Sequence, residues 1–199
     1  MNETPFVEVV PAEQLQRRVA ELGAEISADY ADREPVLVSV LNGSLPFVAD
    51  LIRKVECSAE IDFLALTRFG AEGRVSIAMD TEVSLEGRDV IIVEDIVDTG
   101  LTLAALRRLL ELRNVASLTT VTLLDKAPRR IAEVPLEYRG FEVGDEFLLG
   151  YGLDWEGMYR NVPSLWAVMD LEVLAAEPLA FRDVAYPGRS MHAQEPVIG

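Results

Sequence analysis

Two carboxylates side by side at the end of an apolar run, followed at once by a third carboxylate, two hydroxyls and a glycine, give residues 90 to 102 the clearest capacity for chemistry in this chain. The segment reads Val90-Ile91-Ile92-Val93-Glu94-Asp95-Ile96-Val97-Asp98-Thr99-Gly100-Leu101-Thr102. Adjacent carboxylates repel one another and are costly to desolvate unless a cation or hydroxyl groups balance them. Magnesium suits such an oxygen site, because it keeps several waters and shares its shell with substrate oxygens. Glu94 and Asp95 could therefore hold a sugar or phosphate complex without forming a closed cage, and spacing alone also leaves a solvated acidic turn open. The following residues weigh towards function. Gly100 permits close backbone approach, and the free amides of a new helix, with the hydroxyls of Thr99 and Thr102, can cradle a phosphate monoester. Helix capping by Asp98 or Thr99 explains neither the acid pair nor the short spacer Ile96-Val97. Neither G-x-x-x-x-G-K-[ST] nor G-x-G-x-x-G after a strand occurs, so triphosphate and dinucleotide sites lose their main support.

The elements that must position this segment are legible in the periodicity. Val90 to Val93 is apolar on both faces, as a strand buried in a parallel sheet must be, and Leu103, Leu106 and Leu110 carry a helix away from it. Earlier in the chain, Leu15, Val19, Leu22, Ile26 and Tyr30 recur at helical spacing behind Pro11, a good first-turn residue. Residues 35 to 41 form a second buried strand ended by Asn42-Gly43-Ser44. Phe47, Val48, Leu51, Ile52 and Val55 then predict a helix with Ser44 as N-cap. Further strands are predicted from Ile61 to Phe69, near Val75 to Met79, from Ser117 to Leu124, and at Phe141-Val143 and Leu165-Val168, with Gly70 to Gly73 a mobile loop. Strands alternating with helices predict an α/β, doubly wound, mainly parallel sheet with helices on both faces, whose ligands sit at the carboxyl ends of the strands. From Glu172 on, periodicity fades, and prolines 178, 187 and 196 suggest a loosely packed tail behind a single domain over residues 1–171.

Bulk composition narrows the function classes. A chain of 199 residues that is 50% hydrophobic can bury the core of one domain. Its 18 basic against 34 acidic residues give a net charge of −16, which repels polyanions and argues against nucleic-acid binding. A small anionic substrate then needs a local positive patch, magnesium or oriented amides. The start carries no basic flank before an apolar run, and no segment holds a long uninterrupted apolar stretch, so a cytoplasmic protein without membrane spans is expected. The lone Cys57 excludes an internal disulfide, and His192, the one histidine, lies in the tail and reads as incidental.

The run Val90 to Thr102 closely resembles the phosphoribosyl pyrophosphate-binding motif of type I phosphoribosyltransferases. Leu123-Leu124-Asp125-Lys126 and the stretch Glu146 to Asp154 continuing through Tyr159-Arg160-Asn161 resemble the hypoxanthine-guanine branch, and the similarity spans roughly residues 36 to 168. The resemblance implies this fold with a small hood built from the terminal segments, and a homodimer or homotetramer. It also implies roles. Glu94 and Asp95 contact ribose hydroxyls and metal-bound substrate, Asp98 handles the purine N7 proton, and Asp98, Thr99, Gly100, Leu101 and Thr102 bind the 5′-phosphate. Lys126 meets the purine 6-oxo group, Phe147 stacks on the base, and the Leu148 backbone reads its edge. Asp154 holds a second magnesium ion and Arg160 contacts pyrophosphate. Leu41, Asn42 and Gly43 form the pyrophosphate-side loop, in which the family often has a cis bond not involving proline. On their own, Lys126 with Arg129 and Arg130 read as a solvated basic turn, Phe147 as core, and Asp154 with Arg160 as a surface pair; their order after the phosphate motif overturns this.

The activity so implied is magnesium-dependent transfer of the 5-phosphoribosyl group from phosphoribosyl pyrophosphate to N9 of a 6-oxopurine, hypoxanthine or guanine, as in purine salvage. A lysine donates but cannot accept, so Lys126 favours a 6-oxo group over the 6-amino group of adenine. The chain departs from many relatives at Asn42, where lysine is common, and in a shorter Gly70–Gly73 loop, the candidate lid. Two competing readings stand beside this one. A regulator on the same fold that binds RNA or nucleotide needs a basic face, against which the net charge and the intact Asp98 and Lys126 argue. A phosphoacceptor receiver domain normally places its acid pair after the first strand, not mid-chain.

Overall fold

Strands that are apolar on both faces end up inside a sheet covered on both sides, and the strongest such runs here form its centre. The computed structural model describes residues 4–69 and 74–187. In chain order it contains β1 (Phe6–Val10), α1 (Ala12–Asp29), β2 (Val36–Leu41), α2 (Leu45–Ile52), β3 (Glu60–Phe69) and β4 (Arg74–Met79). There follow β5 (Asp89–Val97), α3 (Leu101–Glu111), β6 (Ser117–Asp125), a short 3₁₀ turn (Ala127–Arg129) and β7 (Tyr138–Glu142). The chain continues through β8 (Phe147–Leu149), β9 (Leu165–Val168), α4 (Leu171–Ala176) and α5 (Arg182–Ala185).

The main sheet has the order β4-β3-β2-β5-β6-β7, parallel throughout except for β4, which runs antiparallel to β3. The doubly wound α/β fold expected from the sequence is therefore borne out. Alternate residues of each central strand feed opposite cores. Leu37, Ile91 and Val93 pack with Leu15, Leu22, Ile26, Phe47 and Leu51 of α1 and α2. Val36, Val38, Val90 and Ile92 pack with Leu103, Leu106 and Leu110 of α3. The chain leaves β2 through α2 to reach β3 on one side, and leaves β5 through α3 to reach β6 on the other. Winding thus reverses between β2 and β5, and a crevice opens at their carboxyl ends.

A second sheet, β1-β9-β8, is antiparallel and forms the hood, with Phe6 and Phe147 both opposite Val168. Leu165–Val168 belongs to this sheet rather than to the main one. The expectation of loose packing from residue 172 does not hold for the described part of the tail, residues 172–187. Leu174 of α4 and Phe181, just before α5, are completely buried in a third core with Phe6, Leu149, Tyr159, Val162 and Val168. Helices of six and four residues are too short to print a periodicity, which is why the sequence hid them. Ser44 is also corrected: it has helical backbone angles and does not cap α2. Its hydroxyl instead donates to the Val40 carbonyl and lies 2.7 Å from Ser39 Oγ, tying the start of α2 to the end of β2. Among the described residues no helix is long and apolar enough to cross a membrane. The Gly70–Gly73 loop and His192 lie outside the described residues.

Candidate active site

At the carboxyl end of β5 a cavity of about 530 Å³ is lined by Val40, Glu94, Asp95, Asp98, Thr99, Gly100, Thr102 and Arg129, among others. The sheet delivers the acid pair as far as the crevice. The turn that follows is made possible by Gly100, whose φ of 79° lies in the left-handed region. A methyl group on Gly100 would also come within 2.5 Å of the Ala132 carbonyl oxygen. The turn is held from behind by the segment after β6. The Ile131 and Ala132 amides donate to Thr99 O at 2.9 and 3.0 Å, and Arg130 Nε donates to Asp98 O at 3.2 Å while its other end pairs with Asp125. Leu101, 54% exposed, has no side-chain role in the cavity and offers its backbone at the opening turn of α3.

Across the crevice, the Leu41–Asn42 peptide at the end of β2 is cis. Gly43 then presses against Asp95, so that a methyl group there would fall 1.6 Å from Asp95 Oδ2. Strand alternation puts Asp95 on the face of Ile91 and Val93, and Glu94 on that of Val90 and Ile92. Among the described residues neither carboxylate has an ion-pair partner within 4 Å. Burial pushes the Glu94 carboxyl well above the usual carboxylate range, with the neighbouring Asp95 adding to the rise. Burial likewise lifts Asp95 to about 6; the Ile96 amide, donating to it at 2.9 Å, and the charge of Arg160 oppose the shift, and Asp154 adds to it. Among the described residues no cluster of three or more acidic, histidine or cysteine side chains is arranged to hold a metal by itself. Two desolvated carboxylates at a cavity mouth do fit a magnesium ion whose remaining ligands come from substrate and water.

The second group of expected residues does not line this cavity. Lys126, at the end of β6, is buried, and its ammonium donates to the Glu146 carbonyl at 2.7 Å, immediately before Phe147. Burial lowers its pKa, and the nearby charge of Asp98 works against that fall. Leu148 is buried, and its backbone faces Ala167 in the hood sheet. Asp154 is paired with Arg160 at 2.8 Å and accepts the Gly157 amide at 2.7 Å, while Arg160 also donates to Gly152 O at 2.6 Å. Their charges reach Asp95, and Gly152, whose carbonyl Arg160 holds, packs against Gly43 in the loop after β2.

Two contributors escaped sequence reading. Arg129, taken with its neighbours for a solvated turn, donates from Nε to Asp98 Oδ1 at 2.6 Å, bridging residues 31 positions apart. Trp155 meets Phe147 edge to face, with centroids 5.5 Å apart and planes at 84°. Nothing in the local sequence announces either contact.

Residues 8–156 match the phosphoribosyl transferase domain family. The chain is 44% identical over 159 residues to a hypoxanthine-guanine phosphoribosyltransferase of Bacillus subtilis, covering 78% of this chain and 88% of the relative. It is 43% identical over 170 residues to a hypoxanthine phosphoribosyltransferase of Escherichia coli, covering 82% and 96%. The crystal structure of a hypoxanthine phosphoribosyltransferase from Staphylococcus aureus superposes with a TM-score of 0.80 at 40% identity, covering 84% of this chain and 92% of that one.

Proposed function

Because the chain belongs to the phosphoribosyltransferase family, with the hypoxanthine and hypoxanthine-guanine enzymes as its relatives, we propose that it transfers the phosphoribosyl group of phosphoribosyl pyrophosphate to N9 of a 6-oxopurine. The observation that carries this reading is the joining of a desolvated acid pair and a phosphate-type turn in one cavity at the switch point of the sheet. The turn at residues 98 to 102 receives the 5′-phosphate on its amides and on the Thr99 and Thr102 hydroxyls. Glu94 and Asp95 accept from the ribose hydroxyls. The Leu41–Gly43 loop and Arg160 take the pyrophosphate. Phe147, braced by Trp155, stacks on the purine, the Leu148 backbone reads its edge, and Lys126 donates to O6 with hydrogens that Glu146 leaves unused.

Asp98 opens the phosphate turn, its charge reaches Lys126, and it is the general base for the departing N7 proton of the purine. Glu94, Asp95 and Asp154 would hold magnesium, which neutralises and orients the pyrophosphate leaving group when bound. Asp98→Asn keeps the shape of the site and removes the base. Turnover is expected to fall by about 10²-fold or more while nucleotide binding is largely kept, and chelation is expected to stop the native reaction. Undiminished turnover in the variant would take Asp98 out of this role.

A further inference from the structure

The phosphate turn has no cation of its own: the donors that Asp98-Thr99-Gly100-Leu101-Thr102 offers a phosphate are amides and hydroxyls, beside the carboxylate of Asp98. The cavity it borders is lined by the carboxylates Glu94, Asp95 and Asp98, and among the described residues the one cationic side chain in that lining is Arg129. A phosphate dianion entering here meets three acids inside a chain of net charge −16. Amide dipoles and hydroxyls must work against that field unless a cation joins them.

Arg129 is built into the same unit as the turn. It closes the 3₁₀ turn after β6, and the next residues hang their amides on Thr99 O. Any position taken up by the turn therefore carries Arg129 with it. The guanidinium spends Nε on Asp98 Oδ1, and no other partner for it is found among the described residues. Its terminal nitrogens carry further N–H donors in a planar fork that matches phosphate oxygens. The side chain is 48% exposed and belongs to the cavity lining.

We propose that Arg129 is the counter-ion of the substrate's 5′-phosphate, spanning Asp98 and the phosphate. This rests on reading the cavity as the phosphoribosyl site. Arg129 thereby supplies the charge that the turn lacks. It also links the two ends of the reaction, since the guanidinium that grips the phosphate holds Asp98 where the purine proton must be received.

The test is calorimetric binding of inosine 5′-monophosphate and of inosine to the full chain. The native protein is expected to prefer the monophosphate. Arg129→Gln should weaken the monophosphate by about tenfold or more and leave inosine within about twofold, and Arg129→Lys should recover part of the loss. The loss should persist when Arg129→Gln is made in an Asp98→Asn background, because the contact is with the phosphate. Equal weakening of both ligands, no weakening of the monophosphate, or a loss that vanishes without Asp98 would each overturn the proposal. A native protein that binds inosine as well as its monophosphate would instead remove the phosphate reading of the turn, and the role of Arg129 with it.

Discussion

Gly152 of the hood rests directly on the carbonyl oxygen of Gly43, so close that a methyl group on Gly152 would fall 1.9 Å from that oxygen. Gly43 in turn abuts Asp95, and Arg160 grips the Gly152 carbonyl at 2.6 Å. Hood, the loop after β2 and Asp95 of the acid pair are thus stacked through two residues that have no side chain. Gly152 also has a φ of 102°, which side-chain-bearing residues rarely adopt. Gly152→Ala must push the hood off the loop, at a cost of about 2 kcal/mol or more. We expect a lowered melting temperature together with a raised KM for phosphoribosyl pyrophosphate. An unchanged KM would show that the loop does not depend on the hood for its position.

Lys126→Met keeps an unbranched, nearly as long side chain and removes its donors. The Glu146 carbonyl loses its partner, and on the proposed function a 6-oxopurine loses its O6 donor. A fall of about 10- to 100-fold in kcat/KM for hypoxanthine is expected, expressed mainly in the purine KM, with no gain of adenine turnover. Kinetics with hypoxanthine and adenine in parallel check this, and a loss confined to kcat would place Lys126 in the chemical step instead.

Asp95 makes stability depend on pH in a definite sense. In the folded, metal-free protein its carboxyl keeps its proton up to about pH 6, whereas the unfolded chain releases it near pH ~4. Between these values the folded state binds more protons, so this residue's contribution to stability falls as pH rises. Asp95→Asn should therefore be more stable than the native chain above about pH 6, by about 1–3 kcal/mol. The difference should disappear below about pH 4, and nucleotide synthesis should be lost throughout. Denaturant titrations in chelator at acid and neutral pH measure it; equal stabilities at neutral pH would mean that the carboxylate is already balanced in the fold.

Phe181 closes the hood core against Phe6, Tyr159 and Trp166, with ring centroids 4.9, 5.1 and 5.5 Å away. Phe181→Ala should cost about 3–5 kcal/mol, read as a lower melting temperature. Truncating the chain before Leu171 should do at least as much damage. A melting temperature within error of the native value would restore the picture of a loose tail.

What the sequence made legible and what it hid divide along physical lines. Strands β2 and β5 carry their environment in their composition, since a run apolar on both faces has one place in a sheet. The phosphate turn is contiguous, so Glu94 through Thr102 could be read as a unit. The hood was implied only by resemblance, because β1 shows buried residues only at its two ends, β8 has three residues, and their shared partner β9 is far away in sequence. The Arg129–Asp98 pair, the packing of Trp155 on Phe147 and the Gly152–Gly43 contact depend on tertiary closure, which no local pattern encodes. Ser44 shows the converse, a good capping residue drawn by tertiary context into bonds with Val40 and Ser39.

The most direct test of the central claim is pyrophosphate release from phosphoribosyl pyrophosphate and magnesium, with hypoxanthine, guanine, xanthine and adenine supplied one at a time. Release is expected with hypoxanthine or guanine and not with adenine, because Lys126 can donate to O6 but has no acceptor for a 6-amino group. Release with adenine at a comparable rate would contradict the assignment of Lys126, and no release with any base from folded protein would contradict the transferase reading itself.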